Sequence, residues 1–126
     1  MGVYFNFLAQ FVVALFLTIA VETLVILTLA RIGAFTMKGK KPKFDYVVLA
    51  GIIPSAITLP LLWFVFPLFL KGVFYIPVGE ILVTLIEAPI IAAILKTDLR
   101  RGFLASLVAN ITSFAFGLVL VAFGVL

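Results

Sequence analysis

Four long apolar stretches, nearly free of charged side chains, follow one another along the chain. A helix needs roughly 20 apolar residues, at about 1.5 Å of rise per residue, to cross the hydrocarbon core of a bilayer. The stretches do not alternate apolar with polar residues, which excludes a transmembrane β-barrel. The pattern therefore predicts an all-α polytopic membrane protein in which residues 1–126 form a single transmembrane domain. Its four transmembrane helices are expected over residues 7–30, 46–70, 76–96 and 102–125.

The overall composition supports a chain whose main partner is the lipid bilayer. Hydrophobic residues make up 66% of the sequence, charged residues make up 11%, and the mean hydropathy is +1.42. A soluble domain of 126 residues has too small an interior to hide so much apolar surface from water. The chain has neither Cys nor His. It therefore lacks the usual ligands of zinc, copper and haem, and we expect no metal centre and no cofactor.

The basic residues are concentrated in two short loops, which follow the first and third apolar stretches. Short loops rich in Lys and Arg stay in the cytoplasm. The charge pattern therefore predicts a multi-pass protein of the cell membrane with both basic loops in the cytoplasm and both termini outside. This distribution explains the net charge of +4 without a nucleic-acid partner. The loop residues are Arg31, Lys38, Lys40, Lys41, Lys43, Lys96, Arg100 and Arg101.

Two segments resemble each other around an acid inside an apolar stretch. Residues 17–27 read LTIAVETLVIL, and residues 82–92 read LVTLIEAPIIA. In each segment the acid lies nine residues before a base, with Glu22 ahead of Arg31 and Glu87 ahead of Lys96. Nine helical residues span about 13.5 Å, so both carboxyl groups are expected near the middle of the membrane at matching depth.

The second and fourth stretches also match. LAGIIPSAIT begins at Leu49, and LASLVANITS begins at Leu104. The alignment pairs small and polar residues that recur at i, i+4 and i+7, which is one face of a helix. We therefore predict two tandem hairpins, residues 7–70 and 76–125, related by a parallel pseudo-twofold repeat. The aligned pairs are Gly51 with Ser106, Ser55 with Asn110, and Thr58 with Ser113.

Glu22 and Glu87 are the strongest candidates for a functional role. A charged carboxylate at the bilayer centre costs at least ~3 kcal/mol on insertion scales, so such groups face protein or water. Neither acid has a Lys or Arg within the apolar stretches to pair with. The expected states are a protonated acid, two acids that share a proton, or a bound cation.

Oxygen-bearing side chains on the second and fourth helices are expected at a similar depth. Oxygen ligands without nitrogen or sulfur suit a proton, Na⁺ or a hydrated divalent ion. The predicted proton or cation site therefore combines both acids with neutral helpers: Glu22, Glu87, Asn110, Ser55, Thr58 and Ser113. Prolines on the second and third helices also leave backbone carbonyls without helical partners. These prolines are Pro54, Pro60 and Pro89.

The third helix carries a polar line that leads towards the predicted site. Glu80, Thr84 and Glu87 lie at i, i+4 and i+7, so they share one helix face. One interpretation is an access path for a cation or proton. The other is that Glu80 lies at the wet interface and Thr84 bonds to its own helix.

These features favour a small transporter or ion-conducting protein that binds a proton or cation at paired glutamates. It is expected to be homo-oligomeric. The alternative is a non-catalytic anchor or assembly subunit of a larger membrane complex, in which protonated Glu22 and Glu87 only bond Ser55 and Asn110 to lock the hairpins. An enzyme is not expected, because the acids are the principal acid–base groups within the membrane.

Overall fold

The computed structural model describes residues 2–124, with side chains from residue 6 onwards, and it is all-helical. Four helical spans are long and apolar enough to cross a membrane, the architecture of a multi-pass membrane protein. The predicted end of the fourth helix, at residue 125, lies outside the described residues. The main helices are α1 (Gly2–Arg31), α2 (Phe44–Pro60), α3 (Tyr75–Leu95) and α4 (Leu99–Ala122).

The helices form a four-helix bundle in which each packs against two neighbours. α1 contacts α2 and α4, and α3 contacts α2 and α4. The two basic loops lie at one end of the bundle, which we call the basic end. At the opposite end, the start of α1 packs on the residues that follow α2 through the rings of Phe7, Phe11, Trp63 and Phe64, whose centroids lie 4.9–5.7 Å apart. We call this the aromatic end.

Two glycines allow the helices of each hairpin to approach closely. A Cβ atom at Gly51 would lie 2.5 Å from the Cα atom of Thr23 on α1. A Cβ atom at Gly102 would lie 2.5 Å from the carbonyl oxygen of Ala88 and 2.8 Å from the Cβ atom of Ala92, both on α3. Small residues at helix contacts are a means of close packing where lipid removes the hydrophobic driving force between helices.

A hydrophobic core fills the half of the bundle nearer the basic end. The eight side chains of this core are each at most 5% exposed. Each lies closer to the basic end than the central polar residues Glu22, Ser55, Glu87 and Asn110. The large apolar side chains on the outside of the bundle remain exposed, as lipid contact requires. The core consists of Ile26, Phe35, Val47, Ala50, Ile91, Leu95, Ala105 and Ala109.

The second span is not the continuous helix predicted over residues 46–70. The α-helix ends at Pro60 and is followed by a π-helical turn, Leu61–Val65, and a 3₁₀ turn, Phe66–Leu68. Pro60 has no N–H to donate to its own helix, and Pro67 cannot donate to the carbonyl of Leu62. The hydroxyl of Tyr75 donates to that carbonyl instead. The prolines therefore explain the break that the apolar pattern did not predict.

Gly102→Ala is expected to destabilise the bundle by about 1–3 kcal/mol, because the added methyl group overlaps backbone and side-chain atoms of α3. The measurement is thermal unfolding of the purified protein in detergent. Gly117→Ala is the matched control, since a Cβ atom there meets no atom within 4 Å and Ala is the better helix former. Equal stability of the two variants would contradict the proposed tight α3–α4 contact.

Candidate functional site

A cavity of about 300 Å³ lies between all four helices. The hydrophobic core lies on its basic-end side, and the cavity extends from the two central acids towards the aromatic end. Apolar residues form most of the lining, including Leu62 and Trp63 of the π-helical turn. Such a mostly apolar cavity with a few polar groups is the usual form of a small-ligand site. The polar lining residues are Thr18, Glu22, Thr58, Glu80, Glu87, Asn110 and Ser113.

Glu87 is held by hydrogen bonds from two neighbouring helices. Its side chain is 2% exposed. The amide nitrogen of Asn110 on α4 lies 2.8 Å from Oε1 and donates to it. The hydroxyl of Thr58 on α2 bonds to Oε2. Both carboxyl oxygens are therefore satisfied, and α2, α3 and α4 are tied together at this point.

The orientation of Asn110 follows from its partners. Its amide nitrogen also donates to the backbone carbonyl of Ser106, at 2.9 Å. The two N–H groups thus meet two acceptors, the carboxyl of Glu87 and the carbonyl of Ser106. Because a carbonyl can only accept, the amide nitrogen of Asn110 and not its oxygen must face Ser106. Ser106 in turn donates to the carbonyl of Thr84, at 2.9 Å, which adds a second bond between α4 and α3.

Glu22 is equally buried but only half satisfied. The side chain is 2% exposed, and the hydroxyl of Ser55 donates to Oε2. In the described part of the chain, Oε1 has no hydrogen-bond partner. Because a buried polar atom without a partner is costly, Glu22 is the less stabilised of the two acids.

The two acids bond to residues of α2 that lie about one helical turn apart. Ser55, which bonds Glu22, and Thr58, which bonds Glu87, are three residues apart and on the same face of the helix. Side chains at this spacing have Cβ atoms about 5–6 Å apart. Glu22 and Glu87 therefore border one cavity as close neighbours.

Glu80 lies where the central cavity meets a larger one at the aromatic end. The larger cavity has a volume of about 840 Å³ and is lined by aromatic side chains, Lys71 and Glu80. The two cavities share Leu62, Trp63, Glu80 and Phe114. Glu80 is thus the polar residue that lines both the central cavity and the cavity at the aromatic end.

Thr84 and Ser113, the remaining predicted site residues, occupy different positions. Thr84 lines neither of these two cavities, and its hydroxyl donates to the carbonyl of Glu80, at 2.8 Å. Ser113 lines the central cavity, and its hydroxyl lies 3.2 Å from the carbonyl of Asn110. Thr18, which sequence reasoning missed, also lines the cavity. Its position one turn before Glu22 was the available signal.

The chain matches no protein-family model, no curated protein and no solved structure in the comparisons made. The interpretation of the site therefore rests on its own geometry. Within residues 2–124, no three Asp, Glu, His or Cys side chains are grouped as they would be to hold a metal ion.

Asn110→Ala is expected to lower the free energy of unfolding by about 1–3 kcal/mol, because it leaves Oε1 of Glu87 buried without a donor. The measurement is unfolding in detergent, followed by circular dichroism. Thr112→Ala serves as the control, since its exposed hydroxyl bonds only to Val108 of its own helix. A loss no greater than that of the control would show that the Asn110–Glu87 bond contributes little to stability.

Proposed function

We propose that this protein is a small membrane transporter or ion-conducting protein that binds a proton or monovalent cation at the paired acids Glu22 and Glu87, with exchange at Glu22. The observation that carries the proposal is that both acids, from different hairpins, line one cavity that leads past Glu80 to the aromatic end. Acids placed only for packing have no need of a shared cavity. Intramembrane carboxyl groups that face such a cavity are typical of ion and proton pathways.

The hydrogen bonds support different roles for the two acids. The hydroxyl of Thr58 lies 3.0 Å from the carbonyl of Pro54 and also bonds Glu87. A hydroxyl has one proton, and a carbonyl can only accept. Both bonds are well made when Glu87 itself carries a proton and donates to Thr58. Glu87 is then a neutral acid. In this proposal Glu22, which among the described residues is bonded by Ser55 alone, is the group that exchanges its proton or cation.

The packing supports a state in which the site is open towards one side. Two adjacent cavities lie between the acids Glu22 and Glu87 and the aromatic end, whereas the hydrophobic core lies between both acids and the basic end. In the proposed mechanism, the core must separate for the ion to leave in the other direction. The π-helical turn at Leu62 and Trp63 is a suitable point for this change, because such turns are frequent at functional sites.

Loop charge supports the proposed orientation. With the basic end in the cytoplasm, both termini lie outside the cell and the cavity opens to the exterior. If the four helices span the cell membrane as proposed, Glu22 and Glu87 lie near the middle of the bilayer.

The hydrogen bonds also support the proposed pseudo-twofold repeat of residues 7–70 and 76–125. The sequence alignment pairs Glu22 with Glu87 and Ser55 with Asn110. In the structure Ser55 bonds Glu22, and Asn110 bonds Glu87. Each acid is therefore bound by the equivalent position of its own hairpin. Assembly of the bundle into a homo-oligomer belongs to the same proposal.

These same bonds favour a second candidate function, that of a non-catalytic anchor or assembly subunit of a larger complex. Here protonated Glu22 and Glu87 would only lock the hairpins through Ser55 and Asn110. Glutamine would fulfil that role equally well, because its amide both donates and accepts. Replacement of the acids by Gln therefore separates the two functions.

Glu22→Gln is expected to lower proton or Na⁺ flux by about tenfold or more, because an amide neither releases a proton nor carries a negative charge. Glu87→Gln is expected to retain much more flux, since Gln preserves the bonds to Asn110 and Thr58. Flux is measured in proteoliposomes with an imposed pH or Na⁺ gradient. Asp45→Asn is the control, because Asp45 is exposed at the basic end. Undiminished flux in the Glu22→Gln/Glu87→Gln double variant would refute the transport proposal.

The chain has no Cys, so single cysteines can report which positions the cavity exposes. We expect Ser113→Cys to react with a small, membrane-impermeant thiol reagent added outside the cell. Ala109→Cys, one turn deeper on α4 and 2% exposed, is expected to remain unlabelled. Labelling of Ser113→Cys only from the cytoplasmic side would reverse the proposed orientation, and equal labelling at both positions would contradict the closed core.

A further inference from the structure

We infer that a pocket at the basic end binds the phosphate group of an anionic ligand, and that the membrane supplies this ligand as an anionic phospholipid headgroup. The pocket has a volume of about 330 Å³ and lies between the first basic loop and the end of α3. It is separate from the central cavity, and the inference does not depend on the proposed transport function. Its basic lining residues are Lys40, Lys41, Lys43 and Lys96.

The four lysines come from two distant parts of the chain and have no acid among them. Lys40, Lys41 and Lys43 belong to the first loop, whereas Lys96 ends α3. No Asp or Glu lines the pocket. Of the two acids at the basic end, Asp98 pairs with Arg101, at 3.7 Å, and Asp45 does not line the pocket. Four like charges around one small space repel each other, and a bound anion removes that repulsion.

The first loop is held in place by backbone interactions. Met37 and Lys40 exchange two backbone hydrogen bonds, of 2.9 and 3.0 Å. Arg101 on α4 donates to the carbonyl of Thr36, at 2.8 Å. The ammonium group of Lys41 donates to the carbonyl of Arg31, at 3.1 Å. The lysines are thus presented by an ordered loop, which reduces the entropy that a ligand must remove on binding.

The other lining residues favour a lipid over a small soluble anion. The pocket wall includes the apolar surface of Tyr46, which is 39% exposed, and of the half-buried Ile94. The ammonium group of Lys96 lies 5.5 Å from the centroid of the Tyr46 ring. A site with ammonium groups above an apolar wall fits a phosphodiester joined to a glycerol and acyl chains. Basic pockets of this kind at the cytoplasmic side bind anionic headgroups.

Matched charge variants provide the test. Lys43→Gln/Lys96→Gln removes two charges from the pocket, and Lys38→Gln/Arg100→Gln removes two exposed charges from the same end that do not line it. Phosphatidylglycerol and phosphatidylcholine are titrated separately into each purified protein in detergent, and bound lipid is counted by native mass spectrometry. Inorganic phosphate is titrated in parallel.

The expected result is one tightly bound phosphatidylglycerol on the unmodified protein, with binding roughly tenfold weaker in the pocket variant and nearly unchanged in the control variant. Phosphatidylcholine and inorganic phosphate are expected to bind far more weakly. Lys40→Gln provides a second pocket variant. Equal weakening in the pocket and control variants would replace the site by diffuse attraction and overturn the inference. Binding of inorganic phosphate at the same lysines without phosphatidylglycerol would overturn the lipid source.

Discussion

The structure depends on the requirement that two carboxyl groups inside an apolar bundle find polar partners. Each costs at least ~3 kcal/mol if it remains charged and exposed to hydrocarbon. α2 provides partners for both, with Ser55 for Glu22 and Thr58 for Glu87, and α4 adds Asn110. Because these bonds join helices from both hairpins, they fix the register of the bundle around the cavity.

The two halves of the bundle meet this requirement in different ways. Towards the basic end the helices are regular, and small residues such as Gly51 and Gly102 bring them into close contact around a dry core. Towards the aromatic end α2 gives way to π-helical and 3₁₀ turns, and two adjacent cavities lie there. The acids lie at the boundary between the halves. A closely packed half beside an irregular half is compatible with the proposed exchange of an ion.

Sequence reasoning predicted much of this site, for identifiable reasons. A carboxyl group in an apolar stretch stands out in any sequence. The alignment of the two hairpins paired Ser55 with Asn110, and the structure bonds these residues to Glu22 and Glu87. It missed Thr18, because the one signal, a position one turn before Glu22 on the same helix face, is weak for a lone Thr in an apolar helix. It also predicted a continuous second helix, because the apolar character of the segment does not show that α-helical hydrogen bonding ends at Pro60.

The sequence by itself determined the four membrane-length helices, the concentration of charge at one end and the positions of Glu22 and Glu87 along their helices. These properties follow from local hydropathy and from the fixed rise of a helix. Only the tertiary structure decided that the acids share a cavity, that one oxygen of Glu22 has no partner among the described residues and that Lys96 joins the loop lysines around one pocket. Such facts depend on how helices rotate and pack against each other, and in a chain so uniformly apolar many rotations satisfy the same sequence pattern.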